Sequence, residues 1–88
     1  MVSREVTIIN KLGLHARPAA LLVKTASKFI SEIYLKKGTL EVNGKSIMGV
    51  MMLAAEKGAR ITVVTDGPDE KSALKAVVKI FETKFGEE

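Results

Sequence analysis

Glu32-Ile33-Tyr34-Leu35-Lys36-Lys37-Gly38-Thr39-Leu40-Glu41-Val42 is the stretch on which the fold turns. Glu32 to Lys36 alternates, with Ile33 and Leu35 on one face, the period-two pattern of a half-buried strand. Lys37-Gly38 is a turn signal, and Thr39 to Val42 reads as a second short strand. Strands joined by so few residues form a hairpin, and a hairpin is antiparallel.

Upstream, Ala19, Leu22, Val23, Ala26 and Phe29 recur at three- and four-residue spacing, predicting a helix over 16–29 with one apolar stripe. Asn10-Lys11-Leu12-Gly13 reads as a loop. Val2 to Ile9 alternates, with Val2, Val6 and Ile8 opposite Ser3, Glu5 and Thr7. Downstream, Asn43-Gly44-Lys45-Ser46 is a turn whose serine can cap a short helix carrying Ile47, Met48, Val50, Met51 and Leu53, ended by Gly58. Arg60 to Thr65 is a strand. Asp66-Gly67-Pro68-Asp69 is a turn, with Asp69 placed to cap a last helix. Leu74, Val77, Phe81 and Phe85 stripe that helix, and Gly86 is a stop signal. The order is βαββαβα: an α+β fold with a largely antiparallel four-stranded sheet and the helices on one face. At 88 residues the chain is expected to be one domain spanning 1–88.

Composition removes several classes of function. The chain has no cysteine and one histidine, so disulfides and thiolate metal sites are excluded, and no carboxylate cluster replaces them. No metal or cofactor is expected. No run approaches the ~20 apolar residues of a membrane span, and Met1-Val2-Ser3-Arg4-Glu5 holds no apolar signal core, so a cytoplasmic location without membrane insertion is expected. The net charge is +4, but the lysines are scattered and there is no RNA-binding aromatic signature, which argues against nucleic acid. Gly44-Lys45-Ser46 is not a phosphate-binding loop. Five residues separate Gly38 from Gly44 where that motif requires four, and the segment between reads as strand.

The chemistry lies in Gly13-Leu14-His15-Ala16-Arg17-Pro18-Ala19-Ala20. Proline is tolerated in a helix's first turn, so Pro18 marks the start of the first helix. Two placements are open: Arg17 as cap with Pro18 first, or His15 as cap with the helix opening at Ala16. Either sets the imidazole beside backbone N–H groups, where the helix dipole favours the neutral ring with its nucleophilic lone pair. A phosphoryl group on that ring would lie against N–H donors, including that of Ala16. Arg17 can offer its planar fork to the phosphate oxygens. Gly13 permits the backbone of a partner to approach closely.

Gly13-Leu14-His15-Ala16-Arg17-Pro18-Ala19 resembles the phosphorylation-site signature of the HPr family of the bacterial sugar phosphotransferase system. The resemblance extends through Thr25-Ala26-Ser27-Lys28-Phe29 and Asn43-Gly44-Lys45-Ser46-Ile47-Met48-Gly49-Val50-Met51 to the whole chain. It implies an open-faced sandwich with three helices on one side of an antiparallel sheet. It implies a carrier, not a turnover enzyme, that accepts a phosphoryl group on Nδ1 of His15 from phospho-enzyme I, charged by phosphoenolpyruvate, and passes it to IIA domains of sugar permeases. It implies a docking patch of exposed apolar residues around the histidine. Ile47 and Met48 are the expected contacts, with Met51 and Ala20 beside them. Lys24 and Lys45 would steer acidic partners. About half of the Ile47, Met48 and Met51 side chains are expected to be core. A monomer is expected.

Ser46 has a structural reading as a helix cap and a second one by resemblance. In HPr proteins of low-GC Gram-positive type the matching serine is phosphorylated by HPr kinase/phosphorylase, and the product binds a catabolite-control regulator. Ile47-Met48-Gly49-Val50-Met51 resembles that type, whereas Met52 and Ala54 stand where it more often has serine and glycine. Three alternatives remain: a regulatory relative without phosphocarrier activity, which His15 argues against, a carrier of the nitrogen-related branch, and a small nucleic-acid-binding domain.

Overall fold

The computed structural model describes residues 1–86 of the expected 1–88 span. The elements run β1 (Val2–Thr7), α1 (Ala16–Ala26), β2 (Glu32–Lys37), β3 (Leu40–Asn43), α2 (Ile47–Met52), β4 (Arg60–Asp66) and α3 (Glu70–Glu82). A 3-10 turn follows at Lys84–Gly86. The sheet order is β1-β4-β2-β3 with every pair antiparallel; β2 and β3 form the expected hairpin, and β4 lies between β1 and β2. Lys37 pairs with Leu40, so the two turn residues are Gly38 and Thr39, one position later than the turn signal.

Alternation explains which face is covered. Val6, Ile33, Leu35, Val42, Ile61 and Val63 are buried and, by register, lie on one face of the sheet. Ser3, Glu5, Lys36 and Glu41 of the opposite face are exposed. The helices answer the apolar face. Ala19, Leu22 and Ala26 of α1 and Ala73, Val77, Val78 and Phe81 of α3 are buried in the same core. Leu22 is fully buried, worth about 1.5–3 kcal/mol. The result is an open-faced sandwich with three helices on one side.

Three helix ends differ from the sequence reading. α1 ends at Ala26, and Phe29 reaches the core from the following loop, half-buried. α2 stops at Met52, not near Gly58; Ala54 turns left-handed at φ 47°, and the chain from Ala55 onward runs against the loop after β1. α3 stops at Glu82, and Lys84 and Phe85 at φ 57° and 55° swing the Phe85 ring back onto Phe81. Those rings meet edge-to-face with centroids 4.9 Å apart. Phe85 is thus core, as expected, but not as part of the helical stripe.

Asp69 does occupy the cap position of α3, yet its carboxylate serves another segment. It accepts the N–H of Ile30 at 3.0 Å, the N–H of Ser31 at 2.9 Å and the Ser31 hydroxyl. The Ser31 hydroxyl bond, reinforced by the backbone donors, holds the Asp69 carboxyl down to about 2. The cause is spatial. Gly67 lets the β4–α3 turn press onto Ser31, where even a methyl carbon would lie 2.6 Å from the hydroxyl oxygen. Glu70 takes over at the helix start, accepting the Gly67 N–H at 3.0 Å and pairing with the terminal ammonium at 3.0 Å.

Candidate functional site

The site begins with a braced loop. After β1, Ile8 donates to Ala59 at 2.9 Å and accepts from Gly58 at 2.8 Å, while Leu14 donates to Ala55 at 2.9 Å. The segment left over when α2 ends early is therefore the rail that holds the loop. Inside the loop the fully buried Asn10 donates from Nδ2 to the Gly13 carbonyl at 2.7 Å. Gly13 lies at φ +69°, and an added Cβ would overlap the Ala55 carbonyl oxygen and stand 3.0 Å from the Glu56 Cα. Its missing side chain admits the protein's own backbone, which corrects the expectation of a partner's approach there.

Of the two helix starts, the structure has His15 as the cap, in extended conformation at φ −79° and ψ −173°. The first helical bond runs from the Ala19 N–H to the His15 carbonyl at 3.0 Å. Pro18 is the third helical residue, where its ring meets no helical carbonyl four positions back and its absent N–H costs no bond. The N–H groups of Ala16 and Arg17 lie ahead of that first bond. No acidic residue occupies the first turn. A half-buried imidazole thus stands at the positive end of an eleven-residue helix, with the exposed Arg17 two positions on.

α1 and α2 lie side by side and antiparallel. Leu14 bonds Ala55 at one end, and Lys45 Nζ donates to the Phe29 carbonyl at 2.7 Å at the other. The end of α2 nearer His15 is the one bearing Met51 and Met52. Ser46 lies at the opposite end of α2. The Ser46 hydroxyl caps α2, accepting the Gly49 N–H at 3.1 Å. Lys45 is tied to Phe29, whereas Lys24 in the last turn of α1 and Ala20 are exposed.

Ile47, Met48 and Met51 are 45%, 78% and 44% exposed, so none is core, against the expectation that half would be. Val50 and Leu53 fill that role. Leu12 and Met52, at 72% and 66%, also present apolar surface here and were missed. Met52 was recognisable, one position off the Val50 and Leu53 stripe. Leu12 sits in a loop without periodicity, so no sequence signal marked it. Among the described residues no group of His, Cys, Asp or Glu is arranged to hold a metal, and no helix is long and apolar enough to cross a membrane.

Residues 2–83 match the family model described as the PTS HPr component phosphorylation site. The chain belongs to the HPr family. These are phosphocarriers of the phosphotransferase system. It is similar to the phosphocarrier protein HPr of Treponema pallidum, 51% identical over 88 residues and covering all of both chains. HPr of Thermoanaerobacter tengcongensis superposes with a TM-score of 0.96 at 51% identity, covering 100% of this chain and 99% of that one. Crh of Bacillus subtilis, crystallised as a domain-swapped dimer, reaches a TM-score of 0.78 at 42% identity, covering 96% and 97%. The HPr sandwich therefore carries His15 on a helix start beside an exposed apolar helix.

Proposed function

We propose that this HPr-family chain, acting in the cytoplasm as a single domain and a monomer, carries a phosphoryl group on His15 from phospho-enzyme I to IIA domains. The observation that carries the reading is His15 at the cap of α1, ahead of the Ala16 and Arg17 N–H groups. In the accepting step the Nδ1 lone pair of a neutral His15 ring attacks phosphorus. The new N–P bond forms as the bond from phosphorus to the donor's histidine breaks, and that nitrogen keeps the electron pair. Passing the group to a IIA histidine repeats the exchange with the roles reversed, so the carrier emerges unchanged.

The helix start stabilises the transferred group without enclosing it. Two backbone donors and the helix dipole face the phosphoryl oxygens, and Arg17 adds a mobile charged donor. Because Pro18 removes the third N–H of the usual cradle, the site holds the group less firmly than a complete helix start would. That suits a carrier, in which phosphohistidine must be formed and discharged with comparable ease. Leu12, Ile47, Met48, Met51 and Met52 give partners a flexible apolar surface to pack on. Lys24 supplies charge for steering.

Ser46 serves as a second, regulatory acceptor for HPr kinase/phosphorylase, its phosphorylated form docking to a catabolite-control regulator. A phosphate at the start of α2 is compatible with the helix. The added charge stands beside Ile47 and Met48 at the start of α2, so it acts on docking through that apolar surface. Pulse-chase with labelled phosphoenolpyruvate tests the route: label should pass from enzyme I through this chain to a sugar IIA domain. Label reaching the chain but never leaving it for any IIA domain would contradict the carrier reading.

A further inference from the structure

β1 is an edge strand, and α3 packs across it, leaving a groove between the strand and the outer flank of the helix. Val2, Leu74 and Val78 form the apolar part of its lining. Arg4, Lys71, Lys75 and Lys79 supply four cations, and Glu82 opposes them, bound to Arg4 at 3.3 Å. Among the described residues no carboxylate lies within salt-bridge distance of the three lysines. α1 contacts both α2 and α3, so this flank faces away from the surface assigned above to phosphotransfer.

We propose that this groove docks an acidic, extended segment of a partner protein, laid alongside β1. Three features select that occupant. An edge strand offers unpaired backbone donors and acceptors to an added strand. Lysines at every fourth position of α3 repeat at about 6 Å, and alternate side chains of an extended strand repeat at about 6.8 Å, so successive carboxylates can meet successive ammonium groups. The apolar floor receives the methylene stems of both. A second copy of the chain would oppose four cations with the same four. Single-stranded nucleic acid would find no aromatic ring in the groove to stack on.

The probe is a fluorescein-labelled nine-residue peptide alternating glutamate with valine, followed by anisotropy and by amide shifts in the protein. The groove variant K75E/K79E is compared with K28E/K36E, which changes net charge equally at exposed positions elsewhere. Binding that shifts β1 and α3 amides, weakens about tenfold or more in K75E/K79E and changes less than about twofold in K28E/K36E supports the proposal. No saturable binding, or equal weakening in both variants, overturns it. So does displacement of the peptide by an oligothymidine at equal concentration, which would assign the groove to nucleic acid. Self-association abolished by K75E/K79E, without peptide binding, would assign it to a second copy and equally overturn the proposal.

Discussion

Replacing Gly13 by alanine should damage stability and phosphotransfer together, through one contact. Gly13 is buried at φ +69°, a conformation costing an alanine about 1–2 kcal/mol. The new methyl would overlap the Ala55 carbonyl oxygen and approach the Glu56 Cα to 3.0 Å, and both obstacles are main chain that no rotamer change removes. Overpacking of that kind adds about 1–3 kcal/mol. The total, about 2–5 kcal/mol, is a large share of the ~4–13 kcal/mol expected for a domain of this length. Gly38 supplies the control. It has φ +60° but nothing within 4 Å of an added Cβ, so Gly38→Ala carries the backbone cost alone. Urea unfolding followed by circular dichroism should place Gly13→Ala about 1–3 kcal/mol below Gly38→Ala. Relief of the overlap must move the Leu14–Ala55 rail, and displacing His15 by about 1 Å would slow phosphoryl acceptance on the order of a hundredfold. Equal stability of the two variants would refute the claim that the Ala55 rail fixes the loop.

Ser46→Ala removes the bond from Gly49 and should cost about 1 kcal/mol by urea unfolding, whereas Ser46→Asp keeps the cap and the stability yet raises the KM for phospho-enzyme I. Arg17→Ala should leave the melting temperature unchanged while the rate of phosphoryl acceptance in stopped flow falls about tenfold to a hundredfold, the worth of one charge-assisted hydrogen bond. The Asp69 carboxyl is lowered in the folded state to about 2 from an ordinary 3.8, so its contribution is complete above the unfolded value and disappears as pH falls through about 2. Urea midpoints measured from pH 5 down to pH 2 should therefore fall more steeply in the wild type than in Asp69→Asn.

What the sequence made legible was local. Alternation at Ile33 and Leu35, the Gly38 turn and the stripes of α1 and α3 reflect periodicities set by the backbone itself. They were enough to pair β2 with β3 and to read the sheet as largely antiparallel, but not to place β4 between β1 and β2. The histidine at a helix start was equally readable, because Pro18 restricts where the helix can begin. Features set by residues distant in sequence were not. Nothing near Asp69 announces that its carboxylate is claimed by Ile30 and Ser31 across the fold. Ala54, Lys84 and Phe85 take left-handed conformations without being glycine, imposed by the rail beside Gly13 and by the Phe81 ring. Lys45 reads as a free surface charge until Phe29 is placed beside it. The exposure of Ile47, Met48 and Met51 depends on which side of a short helix meets α1, and six residues carry too little periodicity to settle that.

The most direct test of the central claim is intact-mass analysis after incubation with phosphoenolpyruvate and enzyme I, comparing the wild type with His15→Ala. The account predicts a gain of one phosphate that is labile in acid and absent from the variant. No gain in the wild type, with the same enzyme I shown to charge another HPr, or an equal gain in His15→Ala, would contradict it.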